Sequence, residues 1–240
     1  HVRSRRQRQM CIRDRIEPMT PNEKQKMYDL LLEIGFTEIE VGFPAASQTD
    51  FDFVRKIIAE NRIPDGVTIQ VLCQAREELI RRTCEAVAGA KRVIFHLYNS
   101  TSTLQRKVVF NMSREEVIKL ATNATQIVKD NTRALVESGT HLTLEYSPES
   151  YTATEMDFAV EICAAVMEVW QATEDDKVIL NLPSTVEMAT PNVYADQIEY
   201  FTRHLPHREN AVISLHTHND RGTGIAASEL GLMAGAERIE

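Results

Sequence analysis

The 240-residue sequence lacks features that define several common classes of protein. No apolar run approaches the roughly 20 residues of a membrane-spanning helix, so we expect no membrane partner. The four cysteines, Cys11, Cys73, Cys84 and Cys163, show no C-x-x-C spacing, which argues against a zinc knuckle or a disulfide framework. We therefore expect reduced, buried thiols in a cytoplasmic protein.

Positive charge is concentrated in the first fifteen residues. Residues 1–15 hold six arginines and a single acid, Asp14, although the whole chain has a net charge of −8. The rest of the chain is therefore strongly acidic, and we expect no nucleic-acid partner. We predict that residues 1–15 form a separate, disordered segment and that residues 16–240 form one large, partial domain.

Helix and strand signals alternate along residues 16–240. The segment Thr20–Glu23 has the pattern of a capping box with proline at the first helical position. Apolar residues then recur at helical spacing, at Met27, Leu30, Leu31 and Ile34. The predicted strands are 38–43, 68–72, 92–98, 141–146, 177–182 and 211–216, with helices between them and a seventh strand beginning at 237–240.

This alternation predicts parallel βαβ units and the α/β class. No Gly-x-Gly-x-x-Gly follows the first strand, which argues against a dinucleotide-binding fold. We predict a (β/α)8 TIM barrel that is incomplete, with its first strand and the end of its last strand missing. Active sites of such barrels lie at the carboxyl ends of the strands. The polar residues predicted there are Glu40, His96, Glu145, Ser147, Glu149, Asn181, Thr185, His216 and His218.

The stretch Ser214–Gly224 contains a His-x-His pair after an apolar strand. His216 and His218 lie one strand period apart, so their side chains are expected on the same face. Two imidazoles at a strand end suit a divalent metal, although a pair of histidines without a ligand fits the same spacing. Asp220 is expected to cap the following helix.

Six segments, in order along the chain, resemble motifs of one enzyme family. They are Ile16–Pro21, Glu38–Phe53, Tyr98–Thr101, Glu145–Ser150, Asn181–Glu187 and Leu215–Gly222. On these motifs the sequence resembles the 2-isopropylmalate synthases. That family of metal-dependent barrel enzymes condenses acyl-CoA thioesters and also includes the homocitrate and citramalate synthases.

The resemblance implies a Claisen-type condensation of acetyl-CoA with 2-oxoisovalerate, giving 2-isopropylmalate and CoA in leucine biosynthesis. It implies a divalent metal (Mg²⁺, Mn²⁺ or Zn²⁺) and a cytoplasmic homodimer. By motif position, His216 and His218 correspond to metal ligands and Glu149 to a catalytic residue. The substrate-binding residues that it implies are Thr185, Ser147, His96 and Glu40.

Other interpretations remain open at this stage. Glu149 could favour a helix N-terminus through the dipole, and Thr185 could cap the helix that follows it. His96 could be a hydrogen-bonded core histidine. A homocitrate or citramalate synthase, a metal-dependent lyase and a non-catalytic barrel fragment are the alternative functions.

The sequence also departs from the family pattern. The metal-binding aspartate and the catalytic arginine of the family would fall near Gln9 and Met10, and Ile12–Asp14 imitates their motif several residues too late. A later asparagine-containing metal segment, a subdomain and a leucine-binding regulatory domain are not in the sequence. We therefore expect the 240-residue chain by itself to be inactive.

Overall fold

The structure, a computed structural model, describes residues 19–240. Seven helices and seven strands alternate in this part of the chain. In order, they are α1 (Pro21–Ile34), β1 (Glu38–Gly42), α2 (Gln48–Ala59), β2 (Thr68–Gln74), α3 (Glu77–Val87), β3 (Arg92–Ser100), α4 (Arg114–Glu137), β4 (His141–Glu149), α5 (Met156–Trp170), β5 (Val178–Ser184), α6 (Pro191–His204), β6 (Ala211–Thr217), α7 (Gly224–Met233) and β7 (Arg238–Ile239). Short helical turns occupy Thr103–Gln105, Arg106–Phe110, Tyr151–Ala153 and Arg208–Asn210.

The strands form one sheet in the order β1-β2-β3-β4-β5-β6-β7. The pairs β1–β2, β2–β3, β5–β6 and β6–β7 are parallel, and β5 pairs with β6 from Val178 opposite Ala211 to Ser184 opposite Thr217. Pairing of each strand with the next along the chain is the order of a (β/α)8 barrel. The predicted α/β class is confirmed, and the described residues contain seven of the eight strands. The predicted absence of the first strand concerns residues outside the described part.

The described chain divides into two compact units. The amino-terminal unit consists of Met19–Tyr98 and Leu120–Glu145. The carboxy-terminal unit contains Asn99–Lys119 and Tyr146–Glu240. Each unit has its own buried side chains.

Helix α1 of the amino-terminal unit begins as the sequence predicts. Thr20 accepts a hydrogen bond from the Glu23 backbone nitrogen (3.3 Å), and the Glu23 carboxylate accepts one from the Thr20 backbone nitrogen (2.9 Å). Burial of α1 does not follow the predicted apolar spacing, because Met27, Leu30 and Ile34 are exposed while Tyr28 is buried. The spacing of apolar residues therefore predicts the helix, but it does not predict which face of the helix is buried.

Strand β1, predicted at 38–43, alternates between exposed and buried residues. Ile39 and Val41 are buried, whereas Glu38 and Glu40 are exposed. Strand β2 is buried on both faces, as in a central strand of a parallel sheet. The burial of Ile69, Val71 and Cys73 on this strand supplies apolar contacts to the amino-terminal unit.

Helix α5 of the carboxy-terminal unit is anchored by an aromatic residue and two arginines. Phe158 is fully buried, and the guanidinium carbons of Arg106 and Arg114 lie 4.5 and 5.3 Å from the centre of its ring. Arg106 also donates two hydrogen bonds to Glu155, at 2.6 and 2.7 Å, and Arg114 lies 3.2 Å from the same carboxylate. This cluster connects the turn after β3 to the start of α5.

Glu155 should make the carboxy-terminal unit sensitive to acid. Burial alone would raise the pKa of Glu155, but a backbone hydrogen bond and the two arginines lower it from 4.5 to about 2. A lowered folded-state pKa stabilises the fold above pH 4.5, and this contribution is lost as pH falls from about 4.5 to about 2. We expect the urea midpoint of Glu155→Gln to fall less than that of the unchanged chain between pH 5 and pH 3.

The matched control for this measurement is Glu161→Gln, an exposed carboxylate on the same helix. It should keep the acid sensitivity of the unchanged chain. Equal pH dependence of the Glu155→Gln variant and the unchanged chain would contradict the role of the Arg106–Glu155 pair.

The thiols agree with the expectation of reduced cysteines. Cys73, Cys84 and Cys163 are free and buried, and burial raises the pKa of Cys73 and of Cys84 to about 12. Cys11 lies outside the described residues. Among the helices within residues 19–240, none combines the length and the apolar character needed to cross a membrane.

Candidate functional site

In the amino-terminal unit, two predicted substrate-binding residues lie together. His96 on β3 is buried, and its Nδ1 lies 3.3 Å from the Glu40 carboxylate on β1. Gln70, on the strand between them, donates to Glu40 at 3.0 Å and lies 3.2 Å from the same His96 nitrogen. The other ring nitrogen of His96 lies 3.5 Å from the fully buried carboxylate of Glu145 on β4.

Both interpretations of His96 fit this arrangement. The histidine is buried and has polar neighbours, as a core histidine would, but two of these neighbours are carboxylates. A buried carboxylate is costly unless a hydrogen-bond donor or a cation is close. The imidazole of His96 places one such group 3.5 Å from the Glu145 carboxylate.

The other five predicted site residues belong to the carboxy-terminal unit. Glu149 is the last residue of β4, and its carboxylate accepts a hydrogen bond of 2.5 Å from the hydroxyl of Ser100, the last residue of β3. Thr185 follows β5, and its hydroxyl accepts a 3.0 Å hydrogen bond from the Ser150 backbone nitrogen. Thr185 does not cap α6, because the N-cap of that helix is Thr190.

Ser147 connects to His216 through two intermediate side chains. The amide nitrogen of Asn181 donates to the Ser147 hydroxyl at 3.0 Å and to the Glu240 carboxylate at 2.8 Å. The same Glu240 oxygen lies 3.2 Å from Nδ1 of His216. A carboxylate at one ring nitrogen fixes the tautomer and directs the other nitrogen towards a ligand, as around many metal-binding histidines.

His216 and His218 lie at the end of β6 with their ring centres 5.1 Å apart. Nδ1 of His218 is buried and has no hydrogen-bond partner among the described residues. Burial, followed by repulsion from His216, lowers the pKa of His218, although Asp220 and the Thr185 backbone oppose this change. His218 is therefore neutral at pH 7, which is the form that binds a metal.

The helix after this pair is not capped as predicted. The N-cap position of α7 is Thr223, and Asp220 does not cap it. Asn219 accepts the hydrogen bond from the Gly224 backbone nitrogen at 3.0 Å, while Asp220 accepts one from the Glu187 backbone nitrogen at 3.1 Å. The prediction for Asp220 was wrong because the neighbouring loop competes for its carboxylate.

Two residues near the predicted site have contacts that the sequence did not indicate. Glu240 was predicted only as part of a beginning strand, yet it contacts His216 and Asn181. Glu187 is buried between two loops, although it lies in one of the six family motifs. Its place in a motif that contains other polar residues was the only feature of the sequence that could have indicated a role for Glu187.

The chain is similar in sequence to known 2-isopropylmalate synthases. The chain is 60% identical over 225 residues to a 2-isopropylmalate synthase of Arthrobacter sp., covering 94% of this chain and 38% of that protein. A 2-isopropylmalate synthase of Rhodospirillum rubrum is also 60% identical, covering 94% of this chain and 40% of that protein. The predicted resemblance is confirmed, and the chain spans about two fifths of the length of these relatives.

The fold has a solved counterpart in a different enzyme. The HMG-CoA lyase of Brucella melitensis superimposes with a TM-score of 0.65 at 17% identity, covering 93% of this chain and 74% of that one. At this identity the likeness supports the barrel fold alone. The HMGL-like family model matches residues 13–240, which is nearly the whole sequence. The chain belongs to the HMGL-like family.

Proposed function

We propose that this chain is part of a 2-isopropylmalate synthase, which condenses acetyl-CoA with 2-oxoisovalerate to 2-isopropylmalate and CoA. The observation that carries the proposal is the pair His216 and His218 at the end of β6, with Nδ1 of His218 buried and without a hydrogen-bond partner among the described residues. Identity of 60% to relatives of that name supports it. We also propose that the reaction belongs to leucine biosynthesis, that the whole protein is cytoplasmic and that it forms a homodimer.

The two histidines fit a divalent metal. The proposed ion is Mg²⁺, Mn²⁺ or Zn²⁺. Neutral imidazole nitrogens bind Mn²⁺ and Zn²⁺ more readily than Mg²⁺. A divalent ion held there would supply Lewis-acid polarisation of the ketone oxygen of the 2-oxoacid. Glu240, at Nδ1 of His216, would hold that ring in one tautomer.

Glu149 is the proposed proton acceptor. In the reaction a proton leaves the methyl group of acetyl-CoA, and the resulting carbanion forms a carbon–carbon bond with the ketone carbon. The oxygen of the former ketone gains a proton, and water then cleaves the thioester to release CoA. The Ser100 hydroxyl orients the Glu149 carboxylate through its 2.5 Å hydrogen bond. Orientation matters because a general base must lie within hydrogen-bond reach of the proton that it removes.

Thr185 and Ser147 are the proposed substrate-binding hydroxyls of the carboxy-terminal unit. The Thr185 oxygen accepts a bond from Ser150, so its own proton remains to be donated to the carboxylate of the 2-oxoacid. Asn181 donates a 3.0 Å hydrogen bond that orients the Ser147 hydroxyl. His96 and Glu40 are proposed as substrate-binding groups of the amino-terminal unit.

Release of CoA tests the proposed reaction. The test protein, called the hybrid below, has the 225 aligned residues of this chain in place of their counterpart in the Arthrobacter relative. With acetyl-CoA and Mn²⁺, a thiol reagent should report faster CoA release with 2-oxoisovalerate than with pyruvate or 2-oxoglutarate. The unmodified relative is the positive control, and the 240-residue chain alone should release none.

Each alternative function predicts a different result. A preference for pyruvate or 2-oxoglutarate would replace the proposal with a citramalate or a homocitrate synthase. Absence of CoA release from the hybrid with every 2-oxoacid, while the relative is active, would contradict the proposed reaction. Release from the 240-residue chain alone would contradict the expectation that it is inactive.

A further inference from the structure

Glu187 connects the loop after β5 to the loop after β6. It lies between β5 and α6, and only 8% of its surface is exposed. Its carboxylate accepts hydrogen bonds from the backbone nitrogen of Arg221 and from the hydroxyl of Thr223. Its own backbone nitrogen donates to the Asp220 carboxylate at 3.1 Å. The two loops are therefore joined by hydrogen bonds in both directions.

Both loops belong to the carboxy-terminal unit, and the second of them carries His218. The His218 backbone nitrogen lies 3.4 Å from the carbonyl oxygen of Ser184, which is a weak hydrogen bond at the end of the β5–β6 pairing. The loop then turns so tightly that a Cβ on Gly224 would lie 2.7 Å from the His218 carbonyl oxygen. Strand pairing has ended at this point, so the position of His218 depends on contacts within and between the loops.

The Glu187 carboxylate is charged in this environment. Burial would raise its pKa, but hydrogen bonds from the Thr223 hydroxyl and from the backbone nitrogens of Arg221 and Thr223 lower it overall. A buried carboxylate that accepts several hydrogen bonds constrains its donors more strongly than a neutral acceptor, because charge-assisted bonds are stronger. Glu187, in the loop after β5, therefore constrains the geometry of the loop after β6.

We propose that Glu187 is a positioning residue that closes the His218–Thr223 loop and thereby holds the His218 imidazole beside His216. The effect on metal binding rests on the proposed function, whereas the effect on the loop does not. Neither the sequence pattern nor the family resemblance assigned a role to Glu187. It is expected to act through the loop rather than by touching substrate.

Hydrogen exchange of the 240-residue chain tests the loop directly. The Arg221 amide should exchange at least about tenfold faster in Glu187→Ala, because its hydrogen-bond acceptor is lost. Glu187→Gln should give an intermediate rate, since one amide oxygen can replace one of the two carboxylate oxygens. Exposed Glu209, on the turn before β6, provides the control variant Glu209→Gln, which should leave the Arg221 rate unchanged.

Core amides distinguish a loop effect from unfolding. The amides of Leu182 on β5 and Leu215 on β6 should keep their exchange rates in all three variants. An unchanged Arg221 rate in Glu187→Ala would overturn the proposal. If the alanine variant unfolds, the glutamine variant decides: faster exchange at Arg221 but not at Leu215 supports the proposal, and equal acceleration at both overturns it.

Metal affinity of the hybrid tests the positioning of His218. Loss of a group that orients a metal ligand commonly lowers affinity about 10- to 100-fold. Glu187→Ala should raise the Kd for Mn²⁺, measured from the spectrum of free Mn²⁺, by that factor, with partial recovery in Glu187→Gln. An unchanged Kd combined with faster exchange at Arg221 would overturn the link to His218. If the hybrid binds Mn²⁺ but releases no CoA, the proposed reaction fails and this inference still holds.

Discussion

Replacement of His216 or His218 by alanine should lower kcat/KM of the hybrid for 2-oxoisovalerate by about three orders of magnitude or more. Lewis-acid catalysis by a bound ion contributes several kcal/mol, and each ~1.4 kcal/mol corresponds to a tenfold change in rate. The two rings lie 5.1 Å apart, so removal of either one leaves a single imidazole at the end of β6. Metal content measured after dialysis should fall together with CoA release.

The control for these variants is His207→Ala. His207 is exposed on the turn before β6 and lies 3.6 Å from Glu209. It belongs to the same unit as His216 and His218 but does not lie at the carboxyl end of β6. This variant should retain both metal and activity. If His216→Ala and His218→Ala also retained them, the assignment of the two histidines as metal ligands would be wrong.

Glu149→Gln is expected to lower kcat of the hybrid by about 10²- to 10⁴-fold, the usual contribution of a positioned general base. Glutamine has the same shape and can still accept the hydrogen bond from Ser100, but it cannot take a proton from acetyl-CoA. KM for 2-oxoisovalerate should change little, because Thr185 and Ser147 remain. Steady-state CoA release at saturating substrate measures the effect.

Two further variants separate chemistry from orientation. Ser100→Ala removes only the hydroxyl that orients Glu149, so kcat should fall less than in Glu149→Gln. Glu174→Gln, on the exposed loop before β5, should leave kcat unchanged. A Glu149→Gln variant with the kcat of the unmodified hybrid would show that another group accepts the proton.

The sequence predicted the order of elements well because local signals determine it. The capping box at Thr20 and Glu23 is a contact between residues three apart, and it forms as predicted. Strand β1 forms at Glu38–Gly42, within the predicted range 38–43, and its residues alternate between exposed and buried. These features depend on neighbours along the chain, so the sequence alone is sufficient to predict them.

Contacts between loops could not be predicted in the same way. Asp220 was expected to cap its own helix, but it accepts a hydrogen bond from Glu187, 33 residues earlier. Glu240 contacts His216 across 24 residues. Such pairs depend on the register of neighbouring strands and on the path of each loop, which periodicity and composition do not determine.

The burial of helix faces also could not be predicted from the sequence. Apolar spacing predicted α1, yet Met27, Leu30 and Ile34 remain exposed in the described structure. Helical period shows that residues share a face, but it does not show which element covers that face. The positions of polar residues at strand ends were predicted more successfully than the burial of helix faces. His216 and His218 lie beside each other at the end of β6, and Glu149 at the end of β4 accepts a hydrogen bond from Ser100.

The most direct test of the proposed condensation follows the carbon–carbon bond itself. The hybrid is supplied with acetyl-CoA labelled with ¹³C at both acetyl carbons, together with unlabelled 2-oxoisovalerate and Mn²⁺. Mass spectrometry should detect 2-isopropylmalate that carries both labelled carbons, and this product should form at least about 100-fold more slowly in Glu149→Gln and in His218→Ala. CoA release without a labelled C–C product, or labelled acetate alone, would show that the site hydrolyses the thioester and would contradict the proposed condensation.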